Sequence, residues 1–241
     1  MISFIVPAYN EEQCLAETLD ALHATGLALG EPYEVLVADD GSTDQTAVIA
    51  VQKGALLVRV AHRQIAATRN SGAREAMGDL LIFVDADTVV NAEVVRAAVQ
   101  AMRGGAVGGG AGIRFDEPVP RFARALLWVI VRIFRATGLA AGCFLFCTRA
   151  AFDAVGGFDE KYYGAEEIVM SRALKKLGRQ GKFVILKQTV TTSARKLRTY
   201  STGETIKMMA RMALRGTKAL KQRKGMEFWY AERREDRRND A

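Results

Sequence analysis

The 241 residues are 49% hydrophobic and 25% charged, enough chain and apolar content for one large core, which excludes disorder, collagen-like repetition and a disulfide scaffold. Three cysteines, Cys14, Cys143 and Cys147, make an odd number that fits a reducing compartment, and with only His23 and His62 no zinc site built on histidine pairs is expected. The formal charge is +7, yet residues 195–224 hold ten Lys or Arg against one acid, Glu204, so the basic character belongs to one segment and the rest is slightly acidic.

In chain order, residues 2–6 are a short apolar run rich in branched side chains, which predicts a buried strand. Residues 10–25 follow with Leu15, Leu19 and Leu22 at helical spacing, and Gly26 is the expected stop. A second strand is expected over 34–38. Ser42 with Gln45 three residues later reads as a capping box for a helix to Gly54. A third strand (56–60), a helix (64–77) ended by Gly78 and a fourth strand (80–84) come next. Asn91 is placed to cap a helix through Met102, with Val94, Val95, Ala98 and Val99 facing inward. Repeated strand–helix alternation implies a mostly parallel, doubly wound α/β sheet with helices on both faces, whose ligands lie beyond the carboxyl ends of the strands.

Residues 104–112 are glycine-rich but fit no register of G-x-G-x-x-G and follow a helix, so they predict a turn and a small-residue strand approached closely by neighbouring backbone. Helices are expected over 120–137, 166–177 and 201–224, and strands over 142–148 and 182–187. The opening Met1–Pro7 has no basic n-region, and the charge-free apolar runs 125–131 and 136–148 fall short of the roughly 20 residues that span a bilayer. Neither a signal peptide nor a membrane span is expected.

Acids gather where two strands end. The second strand runs into Asp39-Asp40-Gly-Ser-Thr-Asp44 and the fourth into Asp85-Ala86-Asp87. Carboxylates crowded on one rim repel one another unless a cation or hydrogen-bond donors compensate. Asp-x-Asp at the edge of a buried strand offers hard oxygen ligands, which suits Mg2+ or Mn2+ already held by a phosphate.

The ordered set Val6-Pro7-Ala8-Tyr9-Asn10-Glu11-Glu12, Asp39-Asp40-Gly41-Ser42-Thr43-Asp44, Arg69-Asn70-Ser71-Gly72-Ala73, Asp85-Ala86-Asp87, Gly156-Gly157-Phe158-Asp159-Glu160 and Glu166-Glu167 resembles the family 2 glycosyltransferases of the GT-A fold over about residues 1–200. The resemblance implies a Rossmann-like GT-A domain over 1–200; the charge pattern adds a basic amphipathic helix and charged tail over 201–241. It also implies inverting transfer of a sugar from a nucleotide-diphosphate-sugar donor with Mg2+ or Mn2+. By the same resemblance Pro7, Ala8, Tyr9 and Glu11 would line the base and ribose pocket, and Asp39 and Asp40 would hydrogen-bond the nucleoside. Arg69 would approach the diphosphate, Asn70 and Gly72 would shape a helical turn, and Ala86 would lie against the donor. Asp85 would face ribose or sugar and, with Asp87, hold the metal, which Asp87 would ligate directly. Glu166 and Glu167 are the candidate bases. The family pattern is Glu-Asp with the second acid as base, whereas this chain carries Glu167, one methylene longer. Many relatives also place a histidine where residues 191–196 read Thr-Thr-Ser-Ala-Arg-Lys, a basic pair that either neutralises diphosphate or is a solvated loop.

On a helical wheel Arg121, Arg124, Arg132 and Arg135 fall within about 80°, with Trp128 among them and Phe122, Leu126, Ile130 and Phe134 opposite. With the basic 201–224 helix, this pattern fits either an anionic membrane surface and a polyprenyl-phosphate or other lipid-linked acceptor, or ordinary solvated faces. No aromatic platform supports nucleic acid. The expected setting is cytoplasmic, at the inner face of the membrane if the basic helices meet lipid. Two rivals are a non-catalytic nucleotide-sugar or membrane-surface binding protein, and a nucleotidyltransferase; the second needs a glycine-rich basic phosphate loop where residues 7–12 are acidic and glycine-free.

Overall fold

A computed structural model describes residues 1–116, 138–140, 142–178, 181–195 and 220–221. The helix expected over 120–137 lies outside the described residues, as does that over 201–224 except for its residues 220–221. Eight strands form one sheet in the order β3-β2-β1-β4-β7-β6-β8-β5. The first half follows the sequence closely: β1 (Ile2–Ala8), α1 (Leu15–Leu29), β2 (Tyr33–Asp39), α2 (Thr46–Gln52), β3 (Leu56–Arg59), α3 (Ile65–Glu75), β4 (Leu80–Val84), β5 (Thr88–Val89) and α4 (Ala92–Arg103). Then come β6 (Ala106–Phe115), β7 (Phe144–Thr148), α5 (Arg149–Val155), α6 (Glu166–Lys176) and β8 (Lys182–Thr192).

Strand β1 is buried along its whole length because it has a parallel neighbour on each side and helices on both faces. Its alternating side chains divide between two cores. Phe4 and Val6 join α1, α2 and α4 on one face, while Ile5 joins α3, α5 and α6 on the other. Each fully buried aliphatic or aromatic side chain contributes roughly 1.5–3 kcal/mol. The change of face at the β1/β4 boundary opens a crevice over the carboxyl ends of β1, β2 and β4.

The second half is mixed, which refines the expected mostly parallel sheet. Strand β7 runs antiparallel between β4 and β6, and the two-residue β5 pairs antiparallel with β8. This reversal has a functional result. Phe144, where β7 begins, is registered with Val84, where β4 ends, so Gly142 and Cys143 enter at the rim where Asp85 leaves. The pairing of Thr88 with Thr192 likewise carries the end of β8 to Asp87.

Three local expectations are corrected. Gly26 does not stop α1: it packs under the Tyr33 ring, where an added Cβ would lie 2.7 Å from ring carbons, and Gly30 at φ 68° ends the helix. The Ser42/Gln45 capping box does not form; the Ser42 hydroxyl accepts from the Asn10 backbone amide at 2.9 Å, and Asp44 instead receives the Thr46 amide at the start of α2. Helix α3 stops at Glu75, ahead of Gly78, whose lack of a side chain lets it sit against Ser3. The Asn91 cap forms as expected, its side chain accepting from Val94 N at 3.0 Å. In β6, an added Cβ on Gly108 would meet Phe146 O at 2.5 Å and one on Gly110 would meet Ala140 Cβ at 2.6 Å, so these glycines serve close backbone approach.

Candidate active site

Two loops at the rim are stitched together by backbone amides. Asn10, at φ 50°, turns the chain after β1; its side-chain oxygen accepts from Thr43 N at 2.9 Å, and Glu11 N donates to Thr46 Oγ1 at 2.8 Å. Pro7 and Ala8 are buried in β1, and the Ala8 carbonyl accepts from Asp40 N at 2.8 Å. Tyr9 lies under Arg63, whose guanidinium carbon is 3.5 Å from the ring centroid. Asp39 closes the loop after β2 by accepting from Ser42 N at 3.1 Å.

Asp40 has a structural task. Its two oxygens accept from Arg63 N at 2.8 Å, Gln64 N at 2.9 Å and Thr68 Oγ1 at 2.9 Å, which satisfies the amino end of α3. Ala86, between the two acids, is packed into the fold. It is 3% exposed, its methyl lies in the core, and its carbonyl accepts from Thr18 Oγ1 at 2.9 Å.

Arg69 is placed differently from the resemblance. At 2% exposure, its Nη2 donates to Asp85 Oδ1 at 2.7 Å and to Gly142 O at 3.0 Å, while Nη1 donates to Glu166 Oε1 at 2.6 Å. It ties β4, the entry to β7 and the start of α6 into one buried ion-pair cluster. Burial opposes its charge, and Asp85, Glu166 and Glu167 more than restore it, so the guanidinium stays firmly protonated. Asn70 adds a second tie. Its amide donates to Phe158 O and Glu160 Oε1, both at 2.9 Å, and accepts from Phe158 N, so the Gly156–Glu160 motif is fastened to α3. Gly72 is a packing glycine rather than a turn-former: an added Cβ would meet Ile5 Cγ2 at 2.7 Å.

Glu166 is therefore committed to Arg69, and Glu167 is the second acid in the first turn of α6. Ala165 takes a left-handed conformation at φ 58° immediately before the pair, a strained setting for a residue with a Cβ. Burial and then the adjacent Glu166 charge push the Glu167 carboxyl up to about 8, against the pull of Arg69. An added Cβ at Gly142 would sit 3.3 Å from the Glu167 carboxyl carbon, so Gly142 walls this carboxyl on one side.

Asp87 is 9% exposed, at the rim beside the end of β8. Thr192 Oγ1 is 3.5 Å from its carboxylate and Ser193 N donates to its carbonyl at 3.0 Å. Arg195, from the basic pair at the end of β8, bonds Glu11 Oε2 at 2.7 Å and Gln13 Oε1 at 3.0 Å. Neither the Arg195–Glu11 tie nor the Gly142 wall carried a spacing signal in the sequence; the departure from the family pattern at 191–196 was the only pointer to Arg195.

No group of three or more His, Cys, Asp or Glu able to hold a metal ion occurs among the described residues. The donor chemistry nevertheless fits a hard divalent cation with few protein ligands. Asp85 is held by Arg69, Asp87 offers carboxylate oxygen at the rim, and a bound diphosphate and water would complete the shell.

The glycosyl transferase family 2 profile matches residues 3–152, which span β1 to α5 and hold every rim acid except the Glu166-Glu167 pair. The chain belongs to this family. Among curated relatives, the undecaprenyl-phosphate 4-deoxy-4-formamido-L-arabinose transferase of Pseudomonas fluorescens is 32% identical over 157 residues, covering 60% of this chain and 45% of that protein. The validoxylamine A glucosyltransferase of Streptomyces hygroscopicus subsp. jinggangensis is 34% identical over 110 residues, 43% of this chain and 26% of the relative. The family 2 chain thus spans less than half the length of either. Its fold is that of the GT-A glycosyltransferases. The mannosyltransferase PcManGT of Pyrobaculum calidifontis, solved with GDP-Man and Mn2+, superposes with a TM-score of 0.69 at 19% identity, covering 92% of this chain and 64% of that one.

Proposed function

We propose that the chain transfers a glycosyl group from a nucleotide-diphosphate-sugar to an acceptor hydroxyl, with inversion and with a divalent cation, Mg2+ or Mn2+, held at Asp87. The observation that carries this reading is the Arg69 fork, which joins Asp85, at the donor end of β4, to Glu166, the neighbour of the base. The loops that follow β1 and β2, carrying Tyr9, Glu11 and Asp39 just beyond Pro7 and Ala8, are assigned to the nucleoside, and Asp85 to the ribose or sugar.

In the proposed reaction Glu167 takes the acceptor proton while the acceptor oxygen attacks the anomeric carbon in line. The bond from that carbon to the diphosphate oxygen breaks, and the nucleoside diphosphate leaves with the electron pair. The cation, when bound, stabilises negative charge on the departing diphosphate. A carboxyl raised to about 8 suits a base working near neutral pH, since its proton affinity matches the task.

A second reading, transfer to a polyprenyl phosphate or other lipid-linked acceptor at the cytoplasmic face of the membrane, is favoured by the name of the Pseudomonas relative and by the ten basic residues in 195–224. No helix among the described residues is long and apolar enough to cross a membrane. Leu220 O accepts from Tyr163 N at 2.7 Å and Lys221 lies over the Tyr162 ring, so the two described residues of this segment rest on the loop before α6. A phosphate oxygen is already ionised and needs no base, so loss of Glu167 separates the two acceptors.

Thermal unfolding with a panel of UDP- and GDP-sugars tests the donor assignment. A matching donor with Mn2+, at about 100 times its Kd, is expected to raise Tm by roughly 5–10 °C. Absence of any shift across the panel, with and without Mn2+, would contradict the reading.

A further inference from the structure

We infer that Arg69 is a positioning residue that sets the base against the donor acids, acting through Glu166 and Gly142 without touching substrate. This rests on the transferase reading. Four segments meet at its guanidinium: α3 supplies it, β4 supplies Asp85 at 2.7 Å, the start of α6 supplies Glu166 at 2.6 Å, and the turn before β7 supplies Gly142 O at 3.0 Å. Two of these partners flank Glu167. Glu166 precedes it on α6, and Gly142 lies where a single added methyl would reach its carboxyl carbon at 3.3 Å.

The side chain is built for this fork. Its carbon lies 5.3 Å from the centroid of Phe158, which seats the guanidinium from one side, and its buried Nε finds no acceptor among the described residues. The two terminal nitrogens carry all the described bonds. A planar fork spans two carboxylates and a carbonyl at fixed angles, whereas an ammonium is a point charge that cannot hold all three in the same geometry. Asp85 and Glu167 are therefore fixed relative to each other, although 82 positions of chain separate them.

The test is R69K, which keeps the charge and removes the fork. Steady-state rates are compared with donor affinity from calorimetry using a nucleotide-diphosphate-sugar and Mn2+. The inference expects kcat to fall about 100-fold, as for a displacement of about 1 Å at the reacting groups, with donor Kd rising no more than about tenfold, since only the Asp85 contact loses its tether. An R69K kcat within about threefold of wild type would overturn it, as would parallel losses in kcat and donor affinity, which would put Arg69 on the donor itself. E166Q serves as a second variant if R69K does not melt cooperatively, because it weakens the Arg69 tie beside Glu167 and leaves Asp85 bonded: kcat should fall with Kd unchanged, and an unaltered kcat would overturn the inference. If the wild-type protein binds no nucleotide-diphosphate-sugar, the transferase reading fails; if it turns over and R69K matches it, only the positioning role fails.

Discussion

Glu167→Gln is expected to lower kcat for a hydroxyl acceptor by about 10³-fold while leaving donor binding intact, because glutamine keeps the shape of the side chain and cannot accept the proton. Wild-type turnover should rise with pH toward a plateau above about 8, where the Glu167 carboxyl is ionised. The stability effect has the opposite sign. The folded carboxyl titrates near 8 and the unfolded one near the ordinary 4.5, so the folded state holds an extra proton between these values and loses stability as pH rises through that window. Glutamine removes this penalty. The variant should melt at the same temperature as wild type below about pH 4.5, and at a progressively higher temperature than wild type from there up to about pH 8. Rates from a radiolabelled-sugar transfer assay, with melting curves across pH, check both parts. Full transfer to a phosphate acceptor by the same variant would favour the lipid-phosphate reading, and full transfer to a hydroxyl would remove Glu167 from the mechanism.

The legible part of the fold was the part whose burial is written as continuous apolar runs. β1, β2 and β4 each carry a near-continuous apolar run because parallel central strands are covered on both faces, and the acids that end β2 and follow β4 mark the rim. The Asn91 cap and the amphipathic α4 were equally plain. Thr88–Val89 is too short to carry a period, and β8 continues beyond Lys187 through Gln188–Thr192, a threonine-rich stretch whose pairing depends on β6 and β5. Helix α3 is a different case. Thr68, Arg69, Asn70 and Ser71 are all buried, so its polar residues face partners brought by tertiary structure, and no periodicity announces that. The roles of Arg69 and Glu166 became readable only when the fold brought together two residues 97 positions apart. Sequence pattern placed both acids of the Glu166-Glu167 pair at the start of a helix; the ion pair with Arg69 distinguishes them.

Asp87→Ala is expected to remove the part of donor affinity that depends on the cation. With Asp85 held by Arg69, Asp87 is the carboxylate proposed to ligate the metal, and no three-ligand cage among the described residues could compensate for its loss. Calorimetry in Mn2+ should give donor binding about 100-fold weaker than wild type, whereas in EDTA the two proteins should bind alike. Equal affinities in Mn2+ would mean that the cation, if it binds, does so elsewhere.

The proposed donor, cation and base would all lie on one rim, over the carboxyl ends of β1, β2 and β4. Crystals soaked with Mn2+ and a nucleoside diphosphate, measured at the manganese absorption edge, test this most directly. An anomalous peak bonded to the Asp87 carboxylate and to diphosphate oxygen, on the same cleft as Glu167, is the predicted result; a peak remote from Asp87, or diphosphate bound away from the ends of β1, β2 and β4, would contradict it.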